Sequence, residues 1–256
     1  MRQRSLGVVL RIIAEDLRLS KREQQKQRRA ERRDERRLKR EARHDWNSSG
    51  DLKSLAIQLG VARVIAAKSK RCSEQQGEYV AGTLDEDWIV SDRLRAIING
   101  ITEYKDLSVI LIDVEEANNT FAGVRGALAH EIGHRIDWLA NPRRKENEPN
   151  RTFLSAFYRA GFWASPDTED ELIAETFGQY LLGHDLPSVL LAKVNDVLTK
   201  LQRRAKLRRC AVVDGFLQSE DRPRLGYVKI IKNFRRSQIA KNAAATPRLD
   251  KTEIAA

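Results

Sequence analysis

The stretch "AHEIGHRID" at residues 129–137 holds two of the chain's four histidines, four positions apart, with a glutamate directly after the first. On an α-helix this spacing brings His130 and His134 onto one face with Cβ atoms about 6 Å apart, so both imidazoles can reach one ion. Glu131 then lies about 100° around the helix, beside such an ion rather than on it. A carboxylate in that place can take a proton from a metal-activated water without using a coordination position. Zinc suits two neutral imidazoles and one carboxylate, with a fourth position left for water. The motif therefore demands a helix beneath it, a second element that carries a third ligand, and a core that locks the two together.

Local signals supply the helix. Asn119 or Thr120 can cap it, Asn141 and Pro142 end it, and Val124, Leu128, Ile132 and Ile136 form a buried stripe over residues 121–139. Gly133 has no side chain and lets another element come close to the metal. The stretch "TEDELIAETFGQYLLG" reads as the second helix, with Thr168 as N-cap and Glu171 three residues on in a capping-box arrangement. Leu172, Phe177, Leu181 and Leu182 give it an apolar side, and Gly183 closes it. Glu171 and Glu175 stand four apart, so both can face the first helix. One can bind the ion while the other accepts a hydrogen bond from a ligand histidine and fixes its ring; spacing alone leaves the order open. Asp137, three residues past His134, could also offer a ligand, but its short side chain on the same helix turn better suits a supporting or helix-capping role. Trp138 and Trp163 suit core or cleft wall. The bland alternative makes both histidines surface residues. It is weakened by scarcity, since only His44 and His184 lie elsewhere.

Around this pair the chain reads as mixed helix and strand. "NSSGD" at 47–51 is a linker and cap, and "DLKSLAIQLG" a short helix stopped at Gly60. "VARVIAA", "EYVAGT" and "DWIVS" are short strands, "RLRAIINGI" a helix, and "LSVILID" at 107–113 the clearest strand of all, placed near the cleft where an extended substrate could pair with it. A helix-turn-helix over "LAIQLGVARVIAA" is the rival there, disfavoured because no Ser or Asn caps the turn after Gly60. "LPSVLLAKVNDVLTKLQRRAKL" is a long amphipathic helix, "YVKIIKNFRRSQI" fits helix or strand, and the tail from Asn242 has a disordered composition.

Charge is unevenly spread. Of 47 Lys/Arg and 36 Asp/Glu, residues 1–44 hold 16 and 7, a net of +9 out of +11, so the other 212 residues are almost neutral. From Lys21 to His44 apolar residues nearly vanish while helix formers dominate. A helix polar all round must be solvated, partnered as in a coiled coil, or partly disordered. Residues 18–43 are the candidate nucleic-acid contact, through phosphates rather than base stacking because aromatics are absent. Val9, Ile12, Ile13 and Leu17 give residues 5–19 one apolar face. Arg11 breaks that run and Glu15 and Asp16 follow it without a small-residue cleavage site, so a soluble amphipathic helix is expected here rather than a secretory signal. No apolar run reaches a membrane span. Cys72 and Cys210 follow no disulfide framework, which suits a reducing compartment: the cytoplasm, or a particle that delivers the protein into a cell.

"HEIGH", followed by "ELIAETFGQYLLG", resembles the gluzincin group of zinc metallopeptidases, in which a downstream helix supplies a glutamate as third ligand. "ELIAETF" is similar to the corresponding stretch of the anthrax lethal-factor-like branch, which implies Glu171 as ligand and Glu175 as the acid behind it. Glu171, Ala174, Phe177, Gly178, Leu181 and Leu182 also follow the ImmA/IrrE branch, peptidases that cut transcriptional repressors. The resemblance spans residues 51 to 185. It implies an α+β zincin-like domain binding one Zn²⁺ through His130, His134 and Glu171, with Glu131 as general base and a protein as substrate. The lethal-factor tyrosine that precedes the ligand glutamate has no counterpart at that offset, and Tyr158 is the nearest candidate for the oxyanion-stabilising group. The expected organisation is a basic helical arm over 1–46, the catalytic domain over 47–240 and a disordered tail over 241–256. The rival from another class is a basic nucleic-acid-associated or phage-assembly protein whose zincin domain is structural or degenerate.

Overall fold

A computed structural model describes residues 3–70, 76–82, 84–103, 107–118, 123–142, 148–162, 166–211 and 226–245, with side chains from 25 to 204 and from 226 to 245 within those ranges. The expected apolar face of residues 5–19, the caps Asn119 and Thr120, Trp163, the side chains of Cys72 and Cys210, and the tail beyond 245 lie outside what is described.

The architecture is α+β. Helix α1 (Gln3–Ser48) runs unbroken through the expected linker, and a single turn residue, Ser49, separates it from α2 (Gly50–Gln58). Ser49 is buried, and its hydroxyl donates to the Asp45 carbonyl at 2.6 Å. The arm is therefore no separate unit at its C-terminal end. Ala42 is buried, and Trp46 packs on the main core under the Lys53 ammonium. Gly60, at φ +82°, turns the chain out of α2 into β1 (Val61–Ala66), a strand rather than the second helix of a helix-turn-helix.

The main sheet has three strands in the order β1, β5 (Ser108–Ile112), β3 (Gly77–Val80); β1 runs parallel to β5 and β3 antiparallel. A two-residue pairing of β2 (Lys68–Ser69) with β4 (Trp88–Ile89) stands beside it. Every residue of β5 is buried, as its unbroken apolar run requires. Alternation divides its side chains between two clusters: Ile110 and Ile112 face the larger, and Val109 and Leu111 the smaller, with Val80, Trp88 and Ile98 of α3 (Asp92–Thr102). Asp113 closes the strand. One carboxylate oxygen accepts from the amides of Glu115 and Glu116 to start α4 (Val114–Asn118), and the other accepts from Ser69.

This topology corrects one expectation. "LSVILID" lies at the centre of the sheet, with its backbone paired on both sides, and cannot take up an added strand. The edge nearer the cleft belongs to β3.

On the larger cluster pack α5 (Gly123–Ala140), α7 (Glu169–Leu181), α8 (Ser188–Ala211) and α9 (Tyr227–Ala245), with α6 (Arg151–Arg159) against α8. The segment "YVKIIKNFRRSQI" is thus helical, and the helix continues through Ala245, so residues 241–245 are ordered rather than part of a disordered tail. Its reason is tertiary. Tyr227 and Ile231 are buried, while Gln238 and Lys241 reach Asp51 of α2, which also holds Arg125 of α5 through both carboxylate oxygens. Arg135 is fully buried, and donates to the carbonyls of Leu59 and Gly60 and to the Tyr79 hydroxyl, tying α5 to α2 and β3.

Candidate metal centre

The site is made where α5 crosses α7. A Cβ on Gly133 would meet the Ala174 carbonyl oxygen at 2.5 Å and its Cα at 2.7 Å, so only glycine permits this backbone-to-backbone approach. One turn away a Cβ on Gly178 would meet the backbone nitrogen of His130 at 3.3 Å. Helix α7 is held at its start by its cap and by its first residue. Thr168 accepts from the Glu171 amide at 3.4 Å, and buried Glu169 pairs with Lys193 of α8 and accepts from the Asn150 amide. With both helices fixed, the face of α5 that carries His130 and His134 meets the face of α7 that carries Glu171 and Glu175.

The donors converge. His130 Nε2 and His134 Nε2 are 3.0 Å apart, and the two Glu171 oxygens lie 3.3 Å from one and 3.3 Å from the other. These three residues form a group able to hold a metal ion. Ligand bonds of about 2.0–2.1 Å at tetrahedral angles put donor atoms roughly 3.3 Å apart, so the group has the spacing such an ion needs. Glu175 Oε1 is 3.0 Å from the other nitrogen of His130, close in distance though off the line of a straight hydrogen bond. The structure thus brings His130, His134, Glu171 and Glu175 together, with Glu171 at the convergence point and Glu175 behind His130.

Glu131 is 5% exposed, and the tight packing of β3 explains why. A Cβ on Gly77 would meet Glu131 Oε1 at 2.6 Å, so the carboxylate is wedged between the histidine pair and the backbone of the edge strand. Burial pushes its pKa up, with Glu171 and Glu78 adding to the rise and the two histidines opposing it. Burial acts on Glu171 in the same sense, but hydrogen bonds from His130 and His134 win and hold its carboxyl well below the usual carboxylate range. Burial disfavours a charged His130, yet Glu171, Glu175 and Glu131 outweigh it and raise its pKa. The pattern is that of a buried anionic cradle. A divalent cation would satisfy the same lone pairs that protons otherwise share.

A cleft of about 780 Å³ opens over these groups, with Gln76, Gly77, Glu78 and Tyr79 along one wall and Asp167, Asp170 and Gln179 along the other. One expectation needs correction here. Tyr158 is 47% exposed on α6, meets Phe157 edge-on and is not among the residues lining the cleft. The phenol that lines the cleft is Tyr79. Asp137, expected in a supporting or helix-capping role, accepts from the Asn141 side chain at 2.8 Å at the end of α5. Sequence reasoning missed Gly77, Tyr79 and Asp170. Only the glycine at the head of "GEYV" could have hinted at a close approach. One Asp170 oxygen is buried without a hydrogen-bond partner among the described residues. No protein-family model, curated protein or solved structure matches the chain.

Proposed function

We propose that the protein is a zinc-dependent metallopeptidase with a zincin-like catalytic domain. The observation that carries this reading is the convergence of His130, His134 and Glu171 at ligand spacing, with the carboxylate of Glu131 buried beside them in an open cleft. The donor set of two imidazoles and one carboxylate fits zinc and leaves room for water. When bound, the ion lowers the pKa of a water and polarises a carbonyl oxygen.

The chain's own groups do the rest. Around a bound ion His130 and His134 would offer their Nε2 lone pairs, and Glu175, 3.0 Å from Nδ1 of His130, stands where a small shift would let it accept that proton and fix the tautomer. Glu131 takes a proton from the attacking water and returns it to the departing amine. Its wedged position against Gly77 leaves few rotamers open, so the carboxylate stays aimed at the reacting water. Among the described residues no strand pairs with the outer edge of β3. An extended peptide added there would lie along the cleft wall, with its backbone held by the strand and its scissile bond over Glu131. The substrate is a protein segment able to adopt extended conformation.

The test uses the full chain loaded with zinc and a quenched fluorescent peptide library, with products mapped by mass spectrometry. Glu131→Gln keeps the shape of the side chain and the metal ligands but cannot accept the proton. Cleavage is expected to fall by about 10²- to 10⁴-fold at unchanged zinc content. Zinc-loaded wild type that cleaves no peptide, or a variant that cleaves as well as wild type, refutes the reading.

A further inference from the structure

The longest element of the fold plays no part in the cleft. Residues 25–41 of α1 are exposed throughout; Lys39 meets Glu115 of α4, and beyond it Ala42 is buried and Trp46 packs on the core. Residues 25–43 contain ten Lys/Arg and four Asp/Glu. Their order matters more than their number. At about 100° per residue, all ten cations fall within about half of the helix circumference, and Glu31, Asp34, Glu35 and Glu41 fall in the other half.

Arg28, Arg32, Arg36 and Arg40 make one ladder at i, i+4, and Arg29, Arg33 and Arg37 make a second beside it. The ion pairs within this stretch occur only at the borders of the two halves, where Arg37 meets Asp34 and Glu41 and Lys39 meets Glu35. The central arginines form no ion pair with a described residue. A helix whose charges served only its own stability would alternate signs at i, i+4, because like charges at that spacing repel. This one stacks like charges on a face turned roughly 120° from its docking side.

We infer that the basic face of α1 binds double-stranded DNA along its phosphate backbone. This reading does not rest on the peptidase proposal. A helix about 10–12 Å across fits a major groove about 12 Å wide, and cations spread over half its circumference reach both flanking strands while the acidic half points out of the groove. The other polyanion surfaces fit less well. Residues 25–43 contain no aromatic side chain to stack on unpaired bases. A membrane-surface helix needs an apolar face opposite its cations, and here that face carries acids. A second copy of the helix offers four acids against ten cations, too few to neutralise it.

The test measures anisotropy of a fluorescein-labelled 30-bp duplex of mixed sequence against the full chain, from low to high salt. The expected slope of log K against log salt is about −5 to −9, as for about 6–10 phosphate contacts. The triple variant Arg28→Gln, Arg32→Gln, Arg36→Gln should flatten the slope by about 3 and weaken binding at least tenfold. The acidic-face variant Glu31→Gln, Asp34→Asn should bind as well as wild type or better. Circular dichroism and zinc content should be unchanged in both, since neither touches the cleft. The inference is overturned by no duplex binding at 50 mM salt, by a triple variant that binds like wild type, or by equal weakening in the acidic-face variant. Tighter binding to a single strand of the same length or to phosphatidylserine vesicles overturns it equally.

Discussion

Replacing Gly133 by alanine tests whether the crossing of α5 and α7 builds the metal centre. On helix propensity alone the change should stabilise the protein by up to about 1 kcal/mol. The structure reverses that sign. The new Cβ would lie 2.5 Å from the Ala174 carbonyl oxygen and 2.7 Å from its Cα, where ordinary contact begins near 3.4 Å, so α7 must retreat by about 0.9 Å. Both atoms are backbone, and no side-chain rotation can relieve them. Overpacking of this kind costs about 1–3 kcal/mol, enough to exceed the propensity gain. The same retreat carries Glu171 away from His130 and His134, each now 3.3 Å from it, by several times the roughly 0.2 Å tolerance of a ligand distance. The expected result is a lower melting temperature together with zinc affinity, measured by competition with a chelator, reduced by at least about tenfold. Two controls grade the effect. Gly178→Ala meets His130 at 3.3 Å and should cost little, whereas Gly100→Ala in α3 meets nothing within 4 Å and should stabilise by about 0.5–1 kcal/mol. A Gly133→Ala protein that melts higher than wild type and keeps its zinc would refute the argument that the close crossing positions the ligands.

Further outcomes follow from the same geometry. Glu171→Ala should largely empty the site, because it removes the carboxylate shared by both histidines, while Glu175→Ala should weaken zinc binding by about 10- to 100-fold and leave activity at saturating metal; a greater loss for Glu175→Ala exchanges their roles. Asp51→Asn should destabilise the fold by about 1–3 kcal/mol near neutral pH, since half-buried Asp51 joins α2 to α5 and α9. Burial alone would raise the pKa of Asp51, but bonds from Arg125, Lys241 and Gln238 hold it well below the usual range. Its contribution is therefore complete above about pH 4–5, near and beyond the unfolded value, and fades as acid protonates it. Denaturation of the two proteins across pH should show curves that converge toward low pH; a gap that widens in acid contradicts the network.

Local chemistry determined much of this protein. The period of 3.6 in "VRGALAHEIGHRI" and "ELIAETFGQYLL" set two helices and the faces they bury, and helical geometry alone put His130 beside His134 and Glu171 beside Glu175. The unbroken apolar run of β5 announced a strand buried on both sides, and the arm's charge announced a helix that could not enter the core. Sequence also foresaw that Gly133 would let another element come close, although not that Ala174 would be the residue to do so. What it could not hold was pairing between distant segments. Whether β5 or β3 forms the edge over the cleft depends on how three strands share hydrogen bonds across fifty residues. No local window contains that competition. The same limit made Tyr158 a candidate by proximity along the chain, when Tyr79 reaches the cleft through a strand far from the metal helix. It also left "YVKIIKNFRRSQI" open between helix and strand and cut the tail at 241, whereas packing of Tyr227 and Ile231 in the core and the bonds of Gln238 and Lys241 to Asp51 make one helix through Ala245. Periodicity reports which face of an element is apolar; only tertiary packing decides what that face meets, and here α5 and α7 meet backbone to backbone at Gly133 while Gly77 of β3 leaves room for the Glu131 side chain.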